Sequence, residues 1–160
     1  MINMMNNKYT KNDEYYTTYK IWEDIVDFIP KDKKIWECFY SRNSQSANYL
    51  RKLGFEVVWE DVDFFTHNYG DILVSNPPFT KKKEVLTRLK QLGKPFIMIY
   101  PSQSVQTRLF RDIFKDDKIQ IIYPTTKLHF EGDSTHPRGA SFYTCYLCYK
   151  MDFDKDIILI

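Results

Sequence analysis

The chain has 160 residues, 43% of them apolar and 17% aromatic, which is enough for one domain with a full core and excludes a disordered chain. Its formal charge of +2 is close to balance, so any phosphate contact has to come from local patches rather than from the surface as a whole. No apolar run reaches membrane-spanning length and no secretory signal is visible; three cysteines, an odd number, then point to a reducing, intracellular compartment such as cytoplasm, nucleoid or host cell.

Residues 1–13 are polar and aperiodic and read as a flexible terminus. Thr17 or Thr18 can cap a helix whose apolar residues Ile21, Trp22, Ile25 and Ile29 share one face, with Pro30 closing it. Residues 34–39 read as the first central strand, residues 46–53 as a helix stopped by Gly54, and residues 55–60 as the second strand. Strand, loop, helix, strand is a βαβ unit, and its first loop lies where open α/β sheets seat a nucleotide. An acid ending the second strand of such a unit is the usual partner of ribose hydroxyls; Glu60 fits, with Asp61 as its close competitor. Asp63, Phe64 and Phe65 follow at once, and residues 66–70 leave room only for a reduced third strand and helix.

The next stretch, Asp71-Ile-Leu-Val-Ser-Asn-Pro-Pro-Phe79, has the most chemical content. Residues 71–75 are short and apolar enough for a buried strand of a parallel sheet, and Pro77 and Pro78 forbid its continuation. Asn76 and the Pro77 carbonyl are then held at the carboxyl end of a strand, with the Phe79 ring beside them. Such a set suits a planar exocyclic amine, a poor nucleophile because its lone pair is delocalised into the ring. Two acceptors on its N–H groups favour rehybridisation and steady the growing positive charge, and a stacked ring orients the base; no strong base is needed.

Asn76-Pro77-Pro78-Phe79 resembles the catalytic motif of S-adenosylmethionine-dependent amino-methyltransferases, above all the DNA adenine-N6 enzymes. The resemblance implies that Tyr16 and Thr17 touch the methionine end of the cofactor, although Thr18 stands where the family has proline. It also implies that Glu37, Phe39, Tyr40, Ser41 and Asn43 form the cofactor loop, and that Asp63 and Phe64 hold the cofactor's adenine. Ser41 and Asn43 occupy positions where the family has glycines; Asn tolerates left-handed backbone and Ser is small.

Further along, Thr80 can cap a helix over residues 81–92 ended by Gly93. Lys81, Lys82 and Lys83 in its first turn read either as a solvated face or as contacts to a substrate's phosphates. Residues 95–100 form another buried strand, residues 103–114 a helix, and residues 119–123 a further strand. Residues 127–150 look like a long hairpin with arms at 128–131 and 140–149. The resemblance puts that hairpin beside the target base, with Phe130, His136, Arg138 and Phe142 along the substrate path. Cys145 and Cys148 are three apart in a strand and point to opposite faces, so they read as core thiols and no metal site is expected. Residues 152–160 end apolar and can add an edge strand or meet a partner chain.

The expected fold is a Rossmann-like class I methyltransferase: α/β, one domain over residues 1–160, with a mostly parallel sheet and a C-terminal antiparallel hairpin. The motif order matches the family over roughly two thirds of the chain. The implied reaction is methyl transfer from S-adenosylmethionine to the N6 amine of adenine in DNA. No stretch is left for a separate target-recognition domain, so specificity is expected from loops, a homodimer or a partner subunit, with nucleic acid (DNA before RNA) as partner and no membrane. The alternatives are an RNA adenine methyltransferase and, because of Ser41 and Asn43, a catalytically silent nucleic-acid-binding subunit.

Overall fold

The computed structural model describes residues 16–40, 44–131 and 142–160. The first helix, α1 (Tyr19–Glu23), buries Ile21 and Trp22. It ends earlier than its apolar pattern predicts: Ile25 leaves helical backbone at φ −116 and ψ 13, and a 3₁₀ turn at Val26–Phe28 carries the chain to Ile29. Consecutive β-branched residues at Ile25 and Val26 favour that departure. The next helix, α2 (Ser46–Lys52), is followed by Gly54 at φ +96. Trp22 Nε1 donates to Ser46 Oγ at 2.6 Å and ties α1 to the start of α2.

The regular strands are β1 (Ile35–Trp36), β2 (Val57–Val58), β3 (Ile72–Ser75), β4 (Phe96–Pro101), β5 (Ile119–Tyr123), β6 (Thr144–Tyr149) and β7 (Ile157–Leu159). The first two are shorter than the sequence suggests. Among the described residues they form one sheet in the order β2-β1-β3-β4-β6-β5-β7. Every neighbouring pair is parallel except those made by β6, which runs antiparallel to both β4 and β5. That order, with one reversed strand near the carboxyl-terminal edge, is a Rossmann-like methyltransferase fold.

Side-chain alternation divides the core. Ile35, Ile72, Val74, Ile97, Ile99, Tyr146 and Cys148 face α1 and α2, whereas Trp36, Leu73, Phe96, Met98, Leu147 and Tyr149 face α3 (Lys82–Leu92) and α4 (Arg108–Phe114). Cys145 and Cys148 therefore lie on opposite faces of β6, as their spacing requires. Among the described residues no helix is long and apolar enough to cross a membrane.

Three local expectations are corrected. A 3₁₀ turn at Phe79–Lys81 precedes α3, so Thr80 lies inside that turn and Lys81 holds the N-cap position. The helix expected over residues 103–114 is two: a 3₁₀ segment, Ser102–Gln106, and then α4. Thr107 separates them in extended backbone, and its hydroxyl accepts from Phe110 N at 3.3 Å. The terminal hairpin exists, but its first arm is β5. Within residues 128–131 the only ladder contact among the described residues is an isolated bridge from Glu131 to Tyr16. Leu128 and Phe130 are buried and alternate with half-buried Lys127 and exposed His129 and Glu131, so the alternation was real, but its partner is the N-terminal segment.

Candidate active site

The chain leaves β1 toward β2 on one side and later returns to place β3 on the other. Strand order reverses between β1 and β3, and the crevice at their carboxyl ends is where open α/β sheets bind ligands. Its geometry depends on a close approach. Gly70, at φ +65, enters β3 so near β1 that a Cβ there would lie 2.9 Å from the Lys34 carbonyl and 3.0 Å from the Trp36 amide. Asp71 then completes the seam: its carboxylate accepts from Lys34 N at 2.9 Å and its own amide donates to Lys34 O at 2.8 Å.

At the far end of that seam four chain segments meet. Ser75, the last residue of β3, donates its hydroxyl proton to the Glu37 carboxylate just beyond β1, and accepts from Phe39 N at 3.3 Å. Glu37 N donates to Val58 O at 2.9 Å, which locks this corner to β2. Asn76 Nδ2 donates to Thr17 Oγ1 at 3.2 Å. Thr17 is buried, and its segment is held by the Tyr16–Glu131 bridge through hydrogen bonds of 3.0 and 2.9 Å. Pro77 and Pro78 are buried, Pro78 is extended at ψ 130, and Phe79 opens the 3₁₀ turn. The Phe79 ring lies 6.4 Å from that of Tyr100 and 5.3 Å, edge-on, from that of Phe142.

Glu37 is the electrostatic centre of the site. It is 2% exposed, and its Oε2 is buried with no hydrogen-bond partner among the described residues. Burial pushes its carboxyl up from 4.5 to about 7, opposed by the Ser75 hydroxyl and the Phe39 amide. Burial, with Glu37 beside it, also holds the Cys38 thiol well above its ordinary value, so Cys38 stays neutral. A buried carboxylate with one oxygen unpaired among the described residues, at the switch point of the sheet, fits a cationic ligand group. S-adenosylmethionine has such groups in its ammonium and sulfonium.

The remaining residues singled out from the sequence fall as follows. Asp63 is 2% exposed, and its carboxylate serves its own turn, accepting from Phe65 N at 3.0 Å and Thr66 Oγ1 at 3.4 Å. Phe64 is wholly buried, its ring 4.6 Å from Phe39 and 5.8 Å from Trp36. Phe64 thereby backs Phe39 from the core side. Tyr40 is half-buried and Glu60, just past β2, is exposed. Phe130 is buried against the α1 side of the core, and Lys81 is half-buried at the start of α3. Ser41, Asn43, His136 and Arg138 lie outside the described residues. A surface groove of about 330 Å³, lined by Phe65, Lys83, Glu84, Thr87, Arg88 and Gln91, flanks α3 and includes neither Glu37 nor Asn76.

Sequence reasoning missed Ser75. It had a weak signal: a hydroxyl residue ending an otherwise apolar strand, directly before Asn76, has no packing reason to be there.

No protein-family model matches the chain, and no curated protein matches it in sequence. Among solved structures it is similar to a precorrin-6y C5,15-methyltransferase from Geobacter metallireducens GS-15. The TM-score is 0.43 at 10% identity, covering 88% of this chain and 97% of that one. At that distance no activity or residue role is carried across; the fold assignment rests on strand order and on the reversed β6.

Proposed function

We propose that the protein transfers a methyl group from S-adenosylmethionine to the exocyclic N6 amine of adenine in DNA. The observation that carries this reading is the position of Asn76. Its amide stands at the carboxyl end of β3, at the switch point, braced by Thr17 and one residue from the Ser75–Glu37 pair.

In this reading the Asn76 side-chain carbonyl and the Pro77 main-chain carbonyl accept from the two N–H groups of the acceptor amine, and Phe79 stacks on the base. Both acceptors gain strength as positive charge develops on nitrogen, so they favour the transition state over the ground state. S-adenosylmethionine supplies the electrophilic methyl when bound, with Glu37 compensating its positive charge. The nitrogen–carbon bond forms as the carbon–sulfur bond breaks, and one N–H proton leaves to water. A base stacked in a duplex does not reach such a pocket, so the acceptor is flipped out or single-stranded.

The test is calorimetric titration with S-adenosylmethionine and its demethylated product, followed by labelled methyl transfer into adenine-containing DNA and RNA. Saturable cofactor binding with transfer into DNA is the expected result. Transfer into RNA alone makes the protein an RNA adenine methyltransferase. No cofactor binding, with or without nucleic acid, overturns the enzymatic reading in favour of the silent subunit.

A further inference from the structure

We infer that Tyr143 and Lys127 form a stacking step for the nucleotide that flanks the acceptor base in a single-stranded nucleic acid; this rests on the acceptor being nucleic acid, as proposed above. Because β6 is reversed, its amino end opens on the same rim of the sheet as the carboxyl ends of β3, β4 and β5. Tyr143 directly precedes β6, and Lys127 follows β5. Both therefore sit on the rim that presents Asn76 and Phe79, and α3, with Lys81 to Lys83 in and before its first turn, starts there too.

The step is built, not incidental. The Tyr143 carbonyl accepts from Ser102 N at 2.9 Å, and the next residue, Thr144, is in register with Pro101, so the backbone beneath the ring is fixed to β4. The residue is 70% exposed, so its side chain is open to a ligand. Lys127 Nζ lies 5.5 Å from the ring centroid, within cation–π reach. The neighbouring Phe142 turns inward and meets Phe79 edge-on at 5.3 Å. Aromatic surface thus runs from the acceptor side, through Phe79 and Phe142, out to Tyr143 in solvent. An open aromatic face with an ammonium beside it supplies what a single strand needs, a surface for the base and a charge for its phosphate. A duplex offers no free base face to such a ring.

The measurement is fluorescence anisotropy of a short dye-labelled oligothymidine bound to the full chain without cofactor. Thymine has no exocyclic amine, so binding reports the step and not the acceptor pocket. Tyr143→Ala is expected to weaken binding about tenfold or more, whereas Tyr143→Trp retains it. Lys127→Gln is expected to reduce the slope of log affinity against log salt by about 0.7. The inference is overturned if the wild-type chain does not bind the oligonucleotide or if Tyr143→Ala binds as wild type. It is equally overturned by an unchanged salt slope in Lys127→Gln, or by a duplex competing as well as the single strand. Tyr143-dependent binding without methyl transfer would remove the catalytic reading and leave this one; transfer into adenine acceptors with no Tyr143 dependence would do the reverse.

Discussion

Ser75 and Asn76 are neighbours in sequence with separate tasks. Ser75 turns its hydroxyl to Glu37 on β1's side, while Asn76 reaches Thr17 in the N-terminal segment. The assignment makes their substitutions separable. Asn76→Ala removes an acceptor for the target amine and should lower turnover about 10²–10³-fold, the usual cost of losing one preorganised transition-state partner. Cofactor affinity, read by calorimetry, should stay close to wild type. Ser75→Ala should do the opposite, because it strips the hydroxyl donor from a buried carboxylate and the acceptor from Phe39 N. A hydrogen bond to a charged group contributes roughly 1.5–3 kcal/mol, so cofactor affinity should fall by about tenfold or more while turnover at saturation changes little. Equal losses in both variants, in the same parameter, would show that the two residues act as one unit.

At the scale of elements, the site is positioned by a seam, and the seam depends on one residue. Gly70 combines φ +65 with a Cβ position 2.9 Å from backbone, so Gly70→Ala meets both a dihedral penalty and a clash that no side-chain movement relieves. The dihedral part alone costs about 1–3 kcal/mol. Chemical denaturation should show at least that loss, and Gly54→Ala, whose Cβ would meet only the end of Lys31 at 3.7 Å, should cost less. The strand–proline–proline signal that locates this seam was legible because it is local: β3 ends where Pro77 forbids it to go on. So were the glycines after α2 and α3, each in left-handed backbone. What the sequence did not disclose is pairing at a distance. Leu128 and Phe130 alternate like a strand, yet their segment meets Tyr16 and not β6, because a buried face specifies that it is covered and not by what. The split at Thr107 escaped for a related reason. Its hydroxyl competes as a cap for the backbone amide of Phe110, and apolar periodicity is blind to that competition.

For the molecule as a whole, Glu37 couples the site to global stability. Its carboxyl is held at about 7 in the folded chain against an ordinary 4.5, chiefly by burial. Below about pH 4.5 the group is protonated in both folded and unfolded chains and costs nothing. As pH rises from there toward 7 the unfolded chain gives up the proton first, so stability is lost across that window and levels off above it. The full penalty is about 3 kcal/mol, a substantial share of a typical domain's stability. Glu37→Gln keeps an acceptor for the Ser75 hydroxyl but has no charge to bury. Denaturation of the variant should therefore be nearly flat in pH across this window and more stable than wild type at about pH 8, whereas wild type declines. The same change should remove the compensation offered to a cationic ligand. S-adenosylmethionine affinity should rise in wild type as pH passes through about 7, and in Glu37→Gln it should be weak and without that rise. A variant that gains stability and loses the cofactor identifies Glu37 as a charge kept at the expense of the fold for binding; a variant that loses both would reduce it to a structural link between β1 and β3.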